Sequence, residues 1–216
     1  MVDLLLNDDR VSYRLKLHTT TCIIADCVNF KPARRVLQHC INLCEFGDAK
    51  FFTHEIPNPP DPYVVTIPQI TSKQAYSHFI IKELGKYITT DFVLVVQTDG
   101  FIINPEKWTN EFLDYDYIGA PWHPSQVQKG MNENHLVGNG GFSLRSRRLQ
   151  VHLSQDPNIK LTHPEDVIIC QVYRDYLESK GFKFAPRQLA NRFSCENYLW
   201  NNAFGHHAYF HLHRAR

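Results

Sequence analysis

Asp99 is the residue whose type and position indicate chemistry most directly. It follows five apolar residues, 92–96, which fit a strand that is buried on both faces. A carboxylate just beyond such a strand lies where open α/β sheets bind ligands, and Gly100 allows a sharp turn or a close approach to a bound group. The segment predicts a metal or phosphate site. Taken by themselves, however, Asp99 and Gly100 are better explained as a simple turn.

Glu165 and Asp166 are a second candidate for chemistry. They follow Pro164 at the start of a predicted helix with an apolar stripe that ends at Gly181. Because the helix dipole favours negative charge in the first turn, both carboxylates are stabilised in their ionised form there. Acidic residues are equally common in ordinary helix starts, so the position alone does not separate the two interpretations.

Two further segments carry candidate ligands. Gly140 and Gly141 precede a strand-like segment, residues 142–144, which suggests backbone lying close to a ligand, although a bulged turn explains the glycines almost as well. Near the C-terminus, an extended chain would place His207 on one face and His206 on the other. No cysteine or acid lies nearby at zinc-finger spacing, so one histidine that joins Asp99 on a metal is the simpler hypothesis.

The elements that position these residues alternate between strands and helices. Residues 20–26 and 50–53 are predicted strands, and between them an apolar stripe predicts a helix that begins at Pro32 and ends at Gly47. A second helix, capped by Ser72, leads into the strand at residues 92–96. This order is typical of an α/β sheet. The long loop at residues 120–139 is expected to cover or line a site.

Length and composition narrow the class of protein. The 216 residues suit one domain over 1–216, which is either the whole protein or a domain excised from a longer polypeptide. With 23 Lys and Arg against 22 Asp and Glu, the net charge is +1, and nothing favours nucleic-acid binding. The six cysteines include no Cys-x-x-Cys pair and are expected to be reduced thiols of a cytosolic protein. The short apolar run near the N-terminus predicts neither a signal sequence nor insertion into a membrane.

Five segments in order resemble the small GT-A-type glycosyltransferases. They are Thr98-Asp99-Gly100, the segment at 116–122, the segment at 138–145, the segment at 164–167 and the segment at 204–208. The resemblance covers residues 20–210 and is strongest to virus-encoded members that help to build capsid glycans. It implies a single-domain GT-A fold, with a mixed, mostly parallel central sheet flanked by helices.

The resemblance also implies a UDP-sugar donor and a divalent metal. Asp99 matches the second acid of the family's Asp-x-Asp pattern, whereas Gln97 occupies the position of the first. With one carboxylate missing, the resemblance assigns the second protein ligand to His207, and His206 falls at a position that is often aromatic. An imidazole ligand suits Mn²⁺ better than Mg²⁺, which stays the alternative.

Other roles follow from the same resemblance. Glu165 or Asp166 would contact sugar hydroxyls or act as a general base on the acceptor hydroxyl. Lys73 and Arg145 are weaker candidates for phosphate contacts, and His123 shares a loop with Trp122. The donor-binding residues that the resemblance implies are Asp26, Gln97, Thr98, Asp99, Trp122, Asn139, Gly140 and Gly141.

The sequence therefore predicts a metal-dependent glycosyltransferase. It would move a hexose or 6-deoxyhexose from a UDP-sugar to a glycan or glycoprotein acceptor, with a viral capsid protein in the host cytoplasm as the setting that the resemblance implies. A metal-dependent phosphate-ester hydrolase is one alternative, although such two-metal sites normally need more acids at strand ends. A non-catalytic carbohydrate-binding module, in which Trp122 stacks on sugar rings, is the other.

Overall fold

The fold comes from a computed structural model, which describes residues 14–123, 132, 135–196 and 200–208. The strands are β1 Leu15–Ala25, β2 Cys44–Thr53, β3 Val64–Thr66, β4 Phe92–Val96, β5 Gly100–Ile102, β6 Tyr117–Gly119, β7 Ser143–Ser146, β8 Ser194–Cys195 and β9 Gly205–His207. The α-helices are α1 Phe30–Leu43, α2 Lys73–His78, α3 Arg147–Gln155, α4 Glu165–Val167, α5 Arg174–Ser179 and α6 Arg187–Phe193. Helix α2 continues as a π-helical turn, Phe79–Glu83, and a 3₁₀ turn, Leu84–Tyr87, and α4 continues as a π-helical turn, Ile168–Val172.

The central sheet has six strands in the order β3-β2-β1-β4-β7-β6. Strands β1 to β4 are parallel to their neighbours in this group, whereas β7 is antiparallel to both β4 and β6. This mixed, mostly parallel sheet confirms the predicted fold class. A second, smaller sheet has the order β5-β9-β8.

Helices cover both faces of the central sheet because its middle strands are apolar on both faces. Along β1, Cys22 and Ile24 pack with α1, whereas Ile23 and Ala25 pack with the segment that begins at α2. Strand β4 alternates in the same way. The continuous apolar run at residues 92–96 is thus buried on both sides, as expected for a central parallel strand.

The first helix ends earlier than the sequence predicted. It stops at Leu43, and Gly47 lies inside β2, which begins at Cys44 instead of residue 50. Strand β1 is likewise longer than predicted and bulges between Leu17 and Thr21, opposite Gly47. A Cβ on Gly47 would lie 2.0 Å from the carbonyl oxygen of His18, so this glycine permits a close strand contact and does not cap a helix.

The helix that carries Glu165 ends at Val172, earlier than the sequence predicted, because the backbone of Tyr173 is not helical. Gly181 instead follows the next helix, α5, and adopts a left-handed backbone conformation, with φ of +84°. All six cysteines lie in the described part of the chain, where they are buried and form no disulfide with one another, in agreement with the predicted reduced thiols. Among the described residues, no helix is long and apolar enough to cross a membrane.

Candidate functional site

The candidate site lies at the carboxyl edge of the central sheet. Strands β1 and β4 end here at Ala25 and Val96, and because β7 is antiparallel to β4, the residues that lead into β7 reach the same edge. One edge therefore receives the loop after β4, the loop before β7 and the turn after β1. In open α/β sheets this edge is where ligands bind.

Asp99 lies at the tip of a tight hairpin between β4 and β5. The backbone N–H groups of Gln97 and Gly100 donate to each other's carbonyl oxygens, at 2.9 and 3.0 Å, so Thr98 and Asp99 form the turn. Gly100 is needed for space, because a Cβ there would lie 2.7 Å from the carbonyl oxygen of Gly141. The hairpin fixes the Asp99 carboxylate, which is one-third exposed, at the edge of the site.

Strand β9 brings His207 beside Asp99. In the antiparallel pairing of β5 with β9, Gly100 lies opposite His207, and the Ala208 N–H donates to the Asp99 carbonyl at 2.8 Å. The Nε2 atom of His207 is 3.5 Å from Oδ1 of Asp99. His206 points to the other face and packs edge-on against Phe101, with 4.6 Å between the ring centroids.

The donor set of Asp99 and His207 fits a divalent cation. Adjacent ligands at about 2.1–2.2 Å from an octahedral ion lie about 3 Å apart, which is close to the observed 3.5 Å separation. One carboxylate oxygen and one imidazole nitrogen suit Mn²⁺, which accepts nitrogen ligands more readily than Mg²⁺. An ion held by these two side chains would keep coordination positions for phosphate oxygens and water.

Glu196, which the sequence analysis did not single out, lies behind His207. It is buried, and its Oε1 atom is 2.8 Å from Nδ1 of His207. Burial lowers the pKa of His207, but hydrogen bonds with Asp99 and Glu196 outweigh that effect and raise the pKa to about 9. The same hydrogen bond with His207 is the main cause of a lowered pKa at Asp99.

The segment Asn139-Gly140-Gly141 packs against these side chains. Oδ1 of Asn139 accepts the N–H groups of Gly141 and Phe142, at 3.1 and 3.4 Å, and its Nδ2 atom is 3.0 Å from Nδ1 of His207. A Cβ on Gly141 would lie 2.2 Å from Nε2 of His207, so the imidazole ring rests directly on this glycine. The absence of a side chain at Gly141 is therefore a condition for the position of His207.

Glu165 and Asp166 reach the other side of the same segment. Asp166 Oδ2 accepts the Gly140 N–H at 3.3 Å, and a Cβ on Gly140 would lie 2.3 Å from Oε1 of Glu165. Arg145, which is fully buried, lies 3.4 Å from the same Glu165 oxygen. Burial and the neighbouring Glu165 raise the pKa of the half-buried Asp166 to about 7. A carboxylate with such a pKa is suited to proton transfer at neutral pH.

Three other predicted site residues have well-defined positions. Asp26 follows β1, and its Oδ1 atom accepts the N–H groups of Val28 and Asn29, both at 2.7 Å, in a turn that leads to α1. Gln97 donates to the Tyr76 hydroxyl at 3.0 Å. Trp122 is 8% exposed, and its indole packs so closely on Gly138 that a Cβ there would lie 2.3 Å away. The indole thus belongs to the core, and it does not present an open face for sugar stacking.

Of the two basic residues suggested for phosphate contacts, Arg145 is buried and Lys73 is exposed. Arg145 has no exposed surface and is held by Glu165 and Ser143, so it is not placed as a surface phosphate ligand. Lys73 is exposed and lines a cavity of about 250 Å³ beside Pro164.

Most of the loop at residues 124–134, and the histidines at 211 and 213, lie outside the described residues.

A separate group of potential metal ligands lies away from Asp99 and His207 in the sequence. Ligand atoms of His135, Asp175 and Glu178 are within 4.8 Å of one another. Asp175 is largely exposed, however, and Glu178 already accepts a hydrogen bond from Arg174 at 3.0 Å. The positive charge of the Arg174 guanidinium opposes the binding of a metal cation beside Glu178. We therefore do not propose a metal site at these three residues.

Two solved structures that are similar to this chain are glycosyltransferases. A glycosyltransferase involved in the glycosylation of the major capsid of PBCV-1 matches with 11% identity and a TM-score of 0.50, over 90% of this chain and 96% of that chain. A mannosyltransferase from Pyrobaculum calidifontis, solved with GDP-Man and Mn²⁺, matches with 11% identity and a TM-score of 0.49, over 85% of this chain. This chain spans 59% of that mannosyltransferase. No curated protein sequence matches.

The sheet topology and the structural match define an α/β protein with a GT-A-like glycosyltransferase fold. Its sequence matches the family described as "Protein of unknown function (DUF5672)" over residues 63–207, and the chain belongs to that family. The matched region includes Asp99, Asn139, Glu165 and His207, so the family profile spans the candidate metal ligands and the acidic pair.

Proposed function

We propose that this protein is a metal-dependent glycosyltransferase that moves a hexose or 6-deoxyhexose from a UDP-sugar to a glycan or glycoprotein acceptor. The observation that carries the proposal is the pairing of Asp99 with His207, 3.5 Å apart, at the ligand-binding edge of a GT-A-like sheet. The proposal places both in contact with one divalent ion, Mn²⁺ or Mg²⁺. Such an ion, when bound, neutralises the charge that develops on the departing diphosphate.

The chain's own residues supply the remainder of the donor site in this proposal. The turn that contains Asp26, at the end of β1, receives the nucleoside. The Asp26 carboxylate already holds the backbone of this turn. Gln97 and Thr98 immediately precede the proposed metal ligand, Asp99. Gly140 and Gly141 let Glu165 and His207 lie directly against the backbone of the donor site, because a side chain at either position would clash with one of them.

We assign different tasks to the two acidic residues. Arg145 contacts Glu165 and holds its carboxylate in place, which suits Glu165 to orient a sugar hydroxyl. Asp166 is less buried and has a pKa of about 7, which suits a general base that accepts the acceptor's hydroxyl proton. Both assignments are proposals about roles, and they rest on the position of the pair beside Gly140.

The PBCV-1 glycosyltransferase is involved in capsid glycosylation. For this chain we extend the proposal to the glycosylation of a glycan or glycoprotein acceptor, with a capsid protein as one acceptor to be tried. A UDP donor is proposed from the sequence resemblance, and GDP-sugars are the comparison to include in any donor screen.

Titration calorimetry tests the proposal against its two alternatives. The transferase is expected to bind UDP with Mn²⁺ present and at least about tenfold more weakly without it. Binding of simple sugars without any binding of UDP would indicate a carbohydrate-binding module, and turnover of simple phosphate esters would indicate a hydrolase. UDP binding that is identical with and without Mn²⁺ would contradict the proposal.

The variant Asp99→Ala tests whether the metal-dependent binding of UDP takes place at the proposed site. It is expected to abolish the effect of Mn²⁺ on UDP binding while the circular dichroism spectrum stays unchanged. Asp114→Ala is the matched control, because Asp114 is an exposed acid at the opposite end of the sheet, near the start of β4. An unchanged metal requirement in Asp99→Ala would show that Asp99 is not the ligand.

A further inference from the structure

We propose that Glu196 is a positioning residue that holds a proton on Nδ1 of His207 and so leaves Nε2 able to bind a divalent cation beside Asp99. This inference rests on the proposed function, because it concerns how the chain prepares one ligand of that site. Histidines that bind metals commonly donate their second ring N–H to a carboxylate, which fixes the tautomer and the ring orientation.

The short strands β8 and β9 bring Glu196 to His207. Their parallel pairing places Cys195 beside His206, so the next residue along each strand, Glu196 and His207, can meet. Oε1 of Glu196 is 2.8 Å from Nδ1, whereas Oδ1 of Asp99 is 3.5 Å from Nε2. The two carboxylates therefore contact different nitrogen atoms of one ring, and only Asp99 lies on the proposed metal side.

Because Glu196 is buried, its contact with His207 favours a proton on Nδ1 of the ring. Glu196 is 7% exposed, and its second oxygen, Oε2, is buried with no hydrogen-bond partner among the described residues. An ionised carboxylate is only an acceptor, so a stable contact at 2.8 Å requires a proton on Nδ1 of His207. Loss of that proton would leave a buried carboxylate without its donor, which is costly.

Asn139 is the group that could favour the opposite tautomer. Its Nδ2 atom is 3.0 Å from Nδ1 of His207, and its Oδ1 atom is engaged by two backbone N–H groups, which fixes the amide orientation. If the amide donated to Nδ1, the neutral ring would carry its proton on Nε2, where the proton would block a metal. The charged, buried Glu196 is the stronger partner, and it selects the tautomer that can bind metal.

The contact of the ring with Gly141 completes the arrangement. Because a Cβ at Gly141 would lie 2.2 Å from Nε2, the ring is confined between this backbone and the two carboxylates. Glu196 then determines which nitrogen is protonated, and Gly141 determines where the other nitrogen lies. Together they leave Nε2 directed at Asp99.

The variants Glu196→Gln and Glu196→Ala separate tautomer control from simple packing. Glutamine keeps the shape but can donate its amide N–H to Nδ1, which stabilises the wrong tautomer, whereas alanine leaves a small cavity. We expect Glu196→Gln to weaken Mn²⁺ binding in the presence of UDP by about 10–100-fold, at least as much as Glu196→Ala does. Electron paramagnetic resonance of free Mn²⁺ measures this affinity.

Glu45→Gln is the matched control. Glu45 makes a comparable contact with a histidine, 2.9 Å from Nε2 of His18, on the exposed surface of β1 and β2. Its Mn²⁺ affinity is expected to equal that of the wild type. Wild-type Mn²⁺ affinity in Glu196→Gln would overturn the inference. So would a Glu196→Gln variant that binds Mn²⁺ more tightly than Glu196→Ala, because packing alone would then explain both results.

Nitrogen NMR of the wild type tests the tautomer without a variant that must fold. At about pH 10, where the ring is neutral, long-range proton–nitrogen spectra of metal-free protein are expected to show the proton of His207 on Nδ1. The His207 signals are those missing in His207→Gln. A proton on Nε2 in the wild type would overturn the inference.

A failure of the proposed function and a failure of the proposed role of Glu196 give different results. If wild-type protein does not bind Mn²⁺ with UDP, the proposed function fails, and the NMR spectrum still decides the tautomer. If the wild type binds Mn²⁺ but Glu196→Gln binds it equally well, the role of Glu196 fails and the proposed function stands.

Discussion

One imidazole ring lies between two carboxylates in the candidate site, and this arrangement has a consequence for metal binding. With Asp99 at one nitrogen and Glu196 at the other, protonated His207 is stabilised and its pKa is raised to about 9. At neutral pH the ring is therefore charged in the metal-free protein. A cation that binds Nε2 must replace a proton there.

Metal affinity is consequently expected to depend on pH. Because the proton on Nε2 competes with the metal below a pKa of about 9, the apparent dissociation constant for Mn²⁺ should fall about tenfold for each unit of rising pH between about 6.5 and 8.5. Calorimetry across this range, at saturating UDP, measures the slope. His207→Gln removes the competing group and should flatten it. An equal slope in both proteins would show that another group, such as UDP itself, is the one titrating.

The proposed base predicts a different pH dependence. Asp166 must lose its proton to accept one, so the turnover rate should rise with pH through about 7 and then level off. Asp166→Asn should lower kcat by about 10²–10⁴-fold and remove that rise, with little change in donor affinity. Asp175→Asn, a change at a largely exposed aspartate, serves as control. A retained pH profile in Asp166→Asn would assign the base to another residue.

The residue types of the site were more predictable than their contacts. Asp99 stands out because it follows a strongly apolar strand, and the resemblance pointed to His207. Glu196 carries no local signal in the sequence, since it follows a strand of two residues and precedes no periodic pattern. Its role becomes visible only when β8 pairs with β9, which is a tertiary contact.

At the level of elements, two glycines determine how closely the loop before β7 approaches the side chains of Glu165 and His207. Gly140 accommodates Glu165, and Gly141 accommodates the ring of His207. Adjacent glycines ahead of a strand could have indicated a bulged turn. The distances assign them to close packing against side chains instead.

Gly141→Ala is expected to weaken metal binding, because the added Cβ would lie 2.2 Å from Nε2 of His207 and displace the ring. Mn²⁺ affinity in the presence of UDP should fall at least about tenfold. Gly181→Ala is the comparison: it has no atom within 4 Å of the added Cβ but a strained φ of +84°, so it should cost about 1 kcal/mol of stability without changing Mn²⁺ affinity. Equal effects of both variants on Mn²⁺ affinity would contradict the packing argument.

Element boundaries were predicted less well than element types. The apolar stripe of α1 is recognisable in the sequence, but the pattern places the end of the helix at Gly47, which lies inside β2. A glycine after a helical pattern usually ends the helix. Here the bulge of β1 brings the His18 carbonyl against β2, and that long-range contact explains the glycine.

For the whole molecule, the alternation of strands and helices was sufficient to predict a mostly parallel α/β sheet. The antiparallel β7 and the small sheet β5-β9-β8 could not be read in the same way, because their strands are short and pair across the chain. These later elements hold Asn139 and His207 in place. The sequence thus predicted the scaffold better than the arrangement of the site on it.

Binding at this site should stabilise the entire fold. The proposed metal ligands come from the β4–β5 hairpin and from β9, which are about half the chain apart. A complex of UDP and Mn²⁺ that binds only the folded state as one ligand, at about 100 times its dissociation constant, should add about 2.7 kcal/mol to the free energy of unfolding. Urea unfolding with and without both ligands measures this increment. Asp99→Ala should lose it and Asp114→Ala should keep it. An equal increment in Asp99→Ala would place the binding elsewhere.

The central claim is that Asp99 and His207 hold the same divalent ion. Pulsed electron paramagnetic resonance of Mn²⁺ bound with UDP tests it directly, because a coordinated imidazole gives a nitrogen coupling. The wild type should show coupling to one histidine nitrogen, and His207→Gln should lose it. Tightly bound Mn²⁺ without nitrogen coupling in the wild type, or with unchanged coupling in His207→Gln, would contradict the account.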